Sequence, residues 1–416
     1  MSRQRIKAIA ALIALVGLTV AGQRPGNVAI ASRSRVIRPA GLRTVAFYSR
    51  DLGGTTHLRV LLPDGYTSTG RRYPVLYLLA GHTGTYKQWT TNSDVADYVR
   101  GLPLIVVMPD GGTGWYSNPA SGVGPRWGDY LIDELIPYVD THYRTIAGRG
   151  GRAVAGLSMG GLGAFDYAAL HPDLFAAAAS FSGYLNLRLL ETPAQRHIYP
   201  DLAVFGDPRA DALYWAGHDP VALAPNLRGV RLYLTSGNGQ PGPFDRSHTP
   251  ADPDEASTHA ALLNMAAALS RTGITATVED YGPGIHGWPY YARDLRHALP
   301  LIMDTFAHPP AAPLPWGYRT IARQFDVWGY QVVRAGGAPG WTALSAVSAA
   351  GLTAAGVGLL GVTTAALYRP AATYTITVDG AHQHVVADTT GRLHLSIQLS
   401  GSGASHHVTI PAVRAP

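Results

Sequence analysis

The 416-residue chain has no cysteine, which excludes disulfides, thiolate metal sites and cysteine nucleophiles. Lysine is almost absent as well. Of the 33 basic residues only Lys7 and Lys87 are lysine, and the arginines are dispersed, without the basic run of a nucleic-acid groove binder. No nucleic-acid partner is expected. Charged residues make up only 14% against 46% hydrophobic, which is too apolar for disorder, and 48 glycines with 30 prolines are too irregular for a coiled coil or helical array. The length suits two domains, or one large domain with an appendage.

The net charge of +6 comes largely from the first residues. Arg3, Arg5 and Lys7 precede an uncharged apolar run from Ala8 to Ala21, and Ala29-Ile30-Ala31 offers a small-x-small cleavage site. This is the order of a secretory signal over 1–31, or of a signal anchor if uncleaved. Its removal takes four basic residues and no acid, leaving +2. A secreted or cell-envelope-associated protein is expected.

From Val45 to about Phe306, short apolar runs alternate with helical patterns. Residues 75–79, 104–108, 153–155 and 230–234 read as buried strands of a parallel sheet. Val45-Ala46-Phe47-Tyr48 and the strand starting at Arg59 fit an antiparallel edge. Helices are expected after Asp129, after Gly160 and from Glu255 to Arg271, the last carrying an apolar stripe at Leu262, Leu263, Ala266 and Leu269. The proline-rich stretch 308–315 reads as a stiff linker, taken as 309–318 between a catalytic domain over 32–308 and a β-rich domain over 319–416. In the latter, residues 374–380 and 393–399 alternate with period two. The uncharged run after Trp341 is long enough to cross a bilayer. Isolated hairpins after Arg369 would however be marginal, so this run is expected to supply the missing strands of a small sandwich.

The strongest chemical signal is Gly156-Leu157-Ser158-Met159-Gly160, between a strand and a helix. A serine on such a turn projects its hydroxyl into the open, and the glycines relieve the crowding. Ser158 is the expected nucleophile, with the helix N-terminus behind it adding positive potential. Its base must lie C-terminal to it. Among His171, His197, His218, His248, His259, His286, His297 and His308, the choice falls on His286, in a glycine-rich turn directly after the strand 276–280. His171 reads as a helix cap and His297 as helical. The acid stays open among Asp245, Asp252, Asp254 and Glu255, since spacing does not choose. Oxyanion donors are expected from the N–H groups of Met159 and of His82, the latter in the loop after strand 75–79. Trp89, Trp115 and Trp288 are candidates to line a substrate site. No metal or organic cofactor is called for.

These motifs together resemble the antigen 85 mycolyltransferase group, close to the esterase D branch of α/β-hydrolases. The resemblance rests on Tyr77-Leu78-Leu79-Ala80-Gly81 with Tyr86 and Trp89, Met108-Pro109 before Gly114-Trp115-Tyr116-Ser117, Trp127 ahead of Asp133-Glu134-Leu135, the Ser158 turn, and Gly284-Ile285-His286-Gly287-Trp288. It covers most of residues 43 to 306. It implies an α/β-hydrolase fold with Ser158 as nucleophile, His286 as base and Glu255 as acid, the glutamate matched by its distance from Arg271-Thr272-Gly273. The family's transferases hold trehalose with an aspartate and an arginine in the oxyanion loop, where this chain has Ala80 and Thr83. The C-terminal region resembles the β-sandwich of some actinobacterial members. The expected function is a secreted serine esterase or acyltransferase acting on ester substrates, lipid or acyl-sugar among them, with a sugar hydroxyl as a candidate acceptor. The rival is a non-catalytic cell-wall or carbohydrate-binding protein on a hydrolase scaffold, against which an intact Ser158 and His286 argue.

Overall fold

The computed structural model describes residues 41–411, so the expected signal segment 1–31 lies outside the described residues. The first sheet has eight strands in the order β1-β2-β4-β3-β5-β6-β7-β8. They are β1 Leu42–Ser49, β2 Gly54–Leu61, β3 Val75–Leu79, β4 Ile105–Pro109, β5 Arg152–Leu157, β6 Ala177–Phe181, β7 Arg231–Ser236 and β8 Thr277–Asp280. The pairs β1/β2 and β2/β4 are antiparallel, and the remaining pairs are parallel. Every residue of β3 to β6 is buried. Helices on both faces cause this, and it is why these strands read as unbroken apolar runs.

The three longest helices among the described residues are α1 Met159–Leu170, α2 Pro253–Arg271 and α3 Trp288–Ala307. The helix expected after Asp129 is present, with Tyr130–Leu135 wound as a π-helix. Strand β3 pairs with β4 on one side and β5 on the other, so the chain's connections leave in opposite directions at this point. In open α/β sheets ligands bind at such a switch point, outside the carboxyl ends of the strands.

The second sheet contains β9 Trp316–Thr320, β10 Gln324–Val327, β11 Tyr330–Ala335, β12 Thr342–Ser348, β13 Gly351–Thr363, β14 Thr373–Val378, β15 Ala381–Val386 and β16 His394–Thr409. All its pairings are antiparallel. One half of β13 pairs with β12 and the other half with β11, while β16 follows its whole length through a bulge at Ala355/Gly356. The sheet thus folds over one apolar core of Trp316, Tyr330, Leu344, Leu360, Ile376, Ile397 and their neighbours. This second antiparallel sheet fits the sandwich-like domain expected at the C-terminus. The apolar run after Trp341 forms β12 and β13, and no helix among the described residues is long and apolar enough to cross a membrane.

Two details of the expected linker differ. Strand β9 already begins at Trp316, and the proline stretch lies against the first sheet's layer: the Arg149 guanidinium donates to the Pro172 and Pro310 carbonyls and stacks over Trp328 at 5.1 Å. Further ties fall near the C-terminal end of α1. Tyr318 donates to the Leu170 carbonyl at 2.9 Å, and Asn226 bridges the Ala169 and Arg319 carbonyls. Ser158 stands at the other end of that helix, about 18 Å away at 1.5 Å per residue.

Candidate active site

Ser158 caps α1 with φ 55 and ψ −122, a conformation that L-residues rarely adopt. The two flanking glycines permit it. A Cβ on Gly156 would stand 2.3 Å from the Gly160 carbonyl oxygen, and one on Gly160 would stand 2.5 Å from that of Ala80. No side chain fits at either position, so the strand-to-helix turn can be this tight only with glycine there.

The loop after β8 carries His286 back over the sheet. Its Nε2 lies 2.8 Å from Ser158 Oγ and its Nδ1 2.7 Å from Glu255 Oε2. The carboxylate can only accept, so Nδ1 bears the proton and Nε2 is left free to accept from the serine. Glu255, in the first turn of α2, is completely buried. Its Oε1 accepts from Ser182 Oγ, Ser236 Oγ and the Gly237 N–H at 2.8, 2.9 and 2.6 Å. These three donors replace the water that a buried carboxylate loses and hold Oε2 toward the imidazole.

The other candidate acids are occupied elsewhere. Asp252 caps α2 and also accepts the backbone N–H of His286 at 3.0 Å. Asp254 accepts from Tyr199, whose phenol is pushed up to about 12 chiefly by burial. Asp245 accepts from Tyr290 and Gly242. Of the four candidate acids, Glu255 is the one bonded to the His286 ring.

The loop 80–84 lies beside the nucleophile, with a Cβ on Gly81 falling 3.6 Å from Ser158 Cβ. Four of its five N–H groups are engaged: Ala80 with Tyr116 Oη, Gly81 with Gln88 Oε1, Thr83 with the Gly112 carbonyl, Gly84 with that of Gly81. The N–H of His82 has no partner among the described residues, nor does that of Met159 at the start of α1. The ring of His82 donates through Nε2 to Asp201 at 2.6 Å.

The tryptophans separate. Trp89 is buried in the core, its indole bonded to the Leu79 carbonyl, and Trp115 is fully buried with its indole donating to Asp201. Neither offers surface to a ligand, contrary to expectation, because each spends its one polar atom inside the protein. Trp288 is partly exposed at the start of α3, edge-on to Trp89.

Sequence reasoning missed Ser182, Ser236, Tyr184, Tyr199 and Asp201. Strand β6, which delivers Ser182, is mostly alanine and carries no β-branched signal. The remaining three tyrosine and aspartate positions lie in segment 184–227, a series of short helical turns without a readable period. A second chain of the same residue types exists in the C-terminal sheet, where His406 bonds Asp379 at 2.6 Å and Ser400 Oγ at 3.0 Å. There the serine sits exposed within β16 rather than on a strained turn.

A mostly parallel sheet with a serine on a left-handed turn, bonded through histidine to a buried glutamate, defines an α/β-hydrolase. The family model described as "Putative esterase" matches residues 49–302, and the chain belongs to that family. Esterase Rv1288 of Mycobacterium tuberculosis is 41% identical over 204 residues, covering 46% of this chain and 44% of the relative, so the chain spans less than half of that protein. The diacylglycerol acyltransferase/mycolyltransferase Ag85B of Mycolicibacterium smegmatis is 30% identical, over 56% of this chain and 78% of its own. MPT51 (FbpC1) of Mycobacterium tuberculosis matches in structure with a TM-score of 0.51 at 23% identity, over 64% of this chain and 99% of its own, which supports the fold. The antigen 85/esterase D-like resemblance therefore holds.

Proposed function

We propose that the protein is a serine esterase or acyltransferase that works through an acyl-enzyme on Ser158. The reading is carried by the hydrogen-bonded chain from Ser158 through His286 to Glu255. Ser158 Oγ attacks the ester carbonyl while His286 Nε2 takes its proton. Glu255 holds the tautomer and stabilises the imidazolium. The N–H groups of Met159 and His82 receive the developing oxyanion, each worth roughly a hundredfold to a thousandfold in rate. The leaving alcohol takes the proton from His286. Water or a sugar hydroxyl then attacks the acyl carbon while its proton passes to the same nitrogen, and the bond to Ser158 Oγ breaks as Oγ takes that proton back, releasing the acid or the new ester.

Relatives named as an esterase and as a diacylglycerol acyltransferase/mycolyltransferase favour ester substrates, lipid esters among them. The leader-like segment 1–31 favours action outside the cell or at its envelope. Turnover of short p-nitrophenyl esters by the full chain, with and without trehalose, tests the reading. Acid release unaffected by sugar marks a hydrolase, and an acyl-sugar product marks a transferase. No turnover in either arm, with no Ser158-dependent labelling, favours a binding protein.

A further inference from the structure

We propose that Asp201 is a positioning residue that presets the oxyanion loop through the ring of His82. The inference rests on the esterase reading above and extends it to a segment that the reading does not use.

His82 carries the only unengaged N–H of the loop 80–84 among the described residues, so its placement decides whether the loop can receive an oxyanion. The engaged groups fix the loop on both sides of it. Tyr116 Oη accepts from the Ala80 N–H and donates to the Ala80 carbonyl, at 2.9 and 3.0 Å. Thr83, next in sequence, is held at φ 59 with its N–H on Gly112. What remains free is rotation of the His82 residue between these anchors, and the side chain controls it.

That side chain is held from outside the loop. Asp201 accepts from His82 Nε2 at 2.6 Å and from Trp115 Nε1 at 3.2 Å with the same oxygen, Oδ2. Trp115 and Tyr116 are consecutive residues at φ 51 and 56, both in the left-handed region and neither glycine. Such a pair is strained and persists only where the surroundings over-determine it. Here one of the two grips Ala80 and the other orients Asp201 against His82. Tyr199, two residues before Asp201, packs edge-on against the His82 ring at 5.1 Å and donates to Asp254 at the start of α2. Segment 184–227 therefore ties the oxyanion loop to the helix that bears Glu255.

The His82–Asp201 pair is only about one-fifth exposed at each partner. A bond of this kind adds little to global stability, but it selects one rotamer of His82 and so one direction of its N–H. An asparagine at 201 keeps an acceptor for Nε2–H, whereas alanine does not.

The test uses the full chain and four variants, D201A, D201N, H82L and the double variant H82L/D201A. The readouts are kcat and KM on a p-nitrophenyl ester, the inhibition constant of an alkyl boronic acid that forms a tetrahedral adduct on serine, and the melting temperature. We expect D201A to lower kcat and boronate affinity together, by roughly tenfold, with KM nearly unchanged and the melting temperature somewhat lower because the buried Trp115 Nε1–H loses its acceptor. This is less than the loss of an oxyanion donor outright. D201N should keep most of the activity, and the double variant should be no worse than H82L alone. The inference is overturned if D201A only raises KM, only lowers the melting temperature, leaves kcat intact, or adds its loss to that of H82L. Absence of turnover in the unmutated protein would instead strike the esterase reading.

Discussion

Gly160 meets the Ala80 carbonyl so closely that a Cβ on it would stand 2.5 Å from that oxygen and 2.9 Å from the Leu79 carbonyl carbon. Both atoms belong to backbone, which cannot turn aside as a side chain can. The nucleophile turn and the oxyanion loop are thus in direct main-chain contact. Gly160→Ala must separate them, and with them the N–H groups of Met159 and His82. We expect kcat to fall at least about tenfold, KM to change less, and stability to drop by about 1–3 kcal/mol from overpacking. Steady-state kinetics and thermal melts check this.

Glu255→Gln keeps the shape of the side chain but not its accepting capacity. Oε1 takes three donors and Oε2 takes His286 Nδ1–H. Whichever way the amide turns, its NH₂ faces a donor, and the cheaper rearrangement is a flipped or re-protonated imidazole. The expected loss in kcat is on the order of 10³–10⁴, as for a triad whose histidine is left in the wrong tautomer. A variant within a few fold of the parent would show that Glu255 does not orient the base.

Asp219 gives the protein a pH signature of its own. It is almost fully buried as the cap of the short helix Pro220–Leu223, and burial, partly offset by bonds from the Val221 and Leu187 N–H groups, raises its carboxyl from 3.8 to about 6. Between these values the folded state holds the proton and the unfolded state has released it. Stability therefore falls as pH rises through this window, and the loss is complete above about 6. The shift corresponds to about 3 kcal/mol, at 1.36 kcal/mol per unit. Asp219→Asn keeps the cap and removes the titration. Relative to the parent, its stability gain should be small at pH 4 and largest near pH 7 in urea unfolding. An equal gain at both would contradict the assignment.

The parts of the fold legible in the sequence were those with a strong local signal. Strand β3 falls on the residues expected, and β4, β5 and β7 overlap theirs, because buried parallel strands are unbroken apolar runs. Ser158 and His286 were nameable because a nucleophile turn has its own composition and the chain order of the partners is constrained, whereas Glu255 stood out from Asp245, Asp252 and Asp254 only through the family resemblance. The surroundings were not. Strand β6 hides in alanine, and Asp201 reaches His82 across 119 positions of sequence. No local pattern encodes such a pairing. Trp89 and Trp115 looked like ligand platforms because burial of an indole depends on the whole packed core.

On the esterase reading, the strained turn, and not residue type alone, makes a serine reactive. The protein supplies its own control in Ser400, which also contacts a histidine held by an aspartate. Treatment of the full chain with a fluorophosphonate, followed by peptide mass mapping, compares the two serines directly. One adduct is expected, on Ser158, unchanged in Ser400→Ala, slowed in His286→Ala and absent in Ser158→Ala. Labelling of Ser400 in preference to Ser158, or full esterase activity in Ser158→Ala, would contradict it.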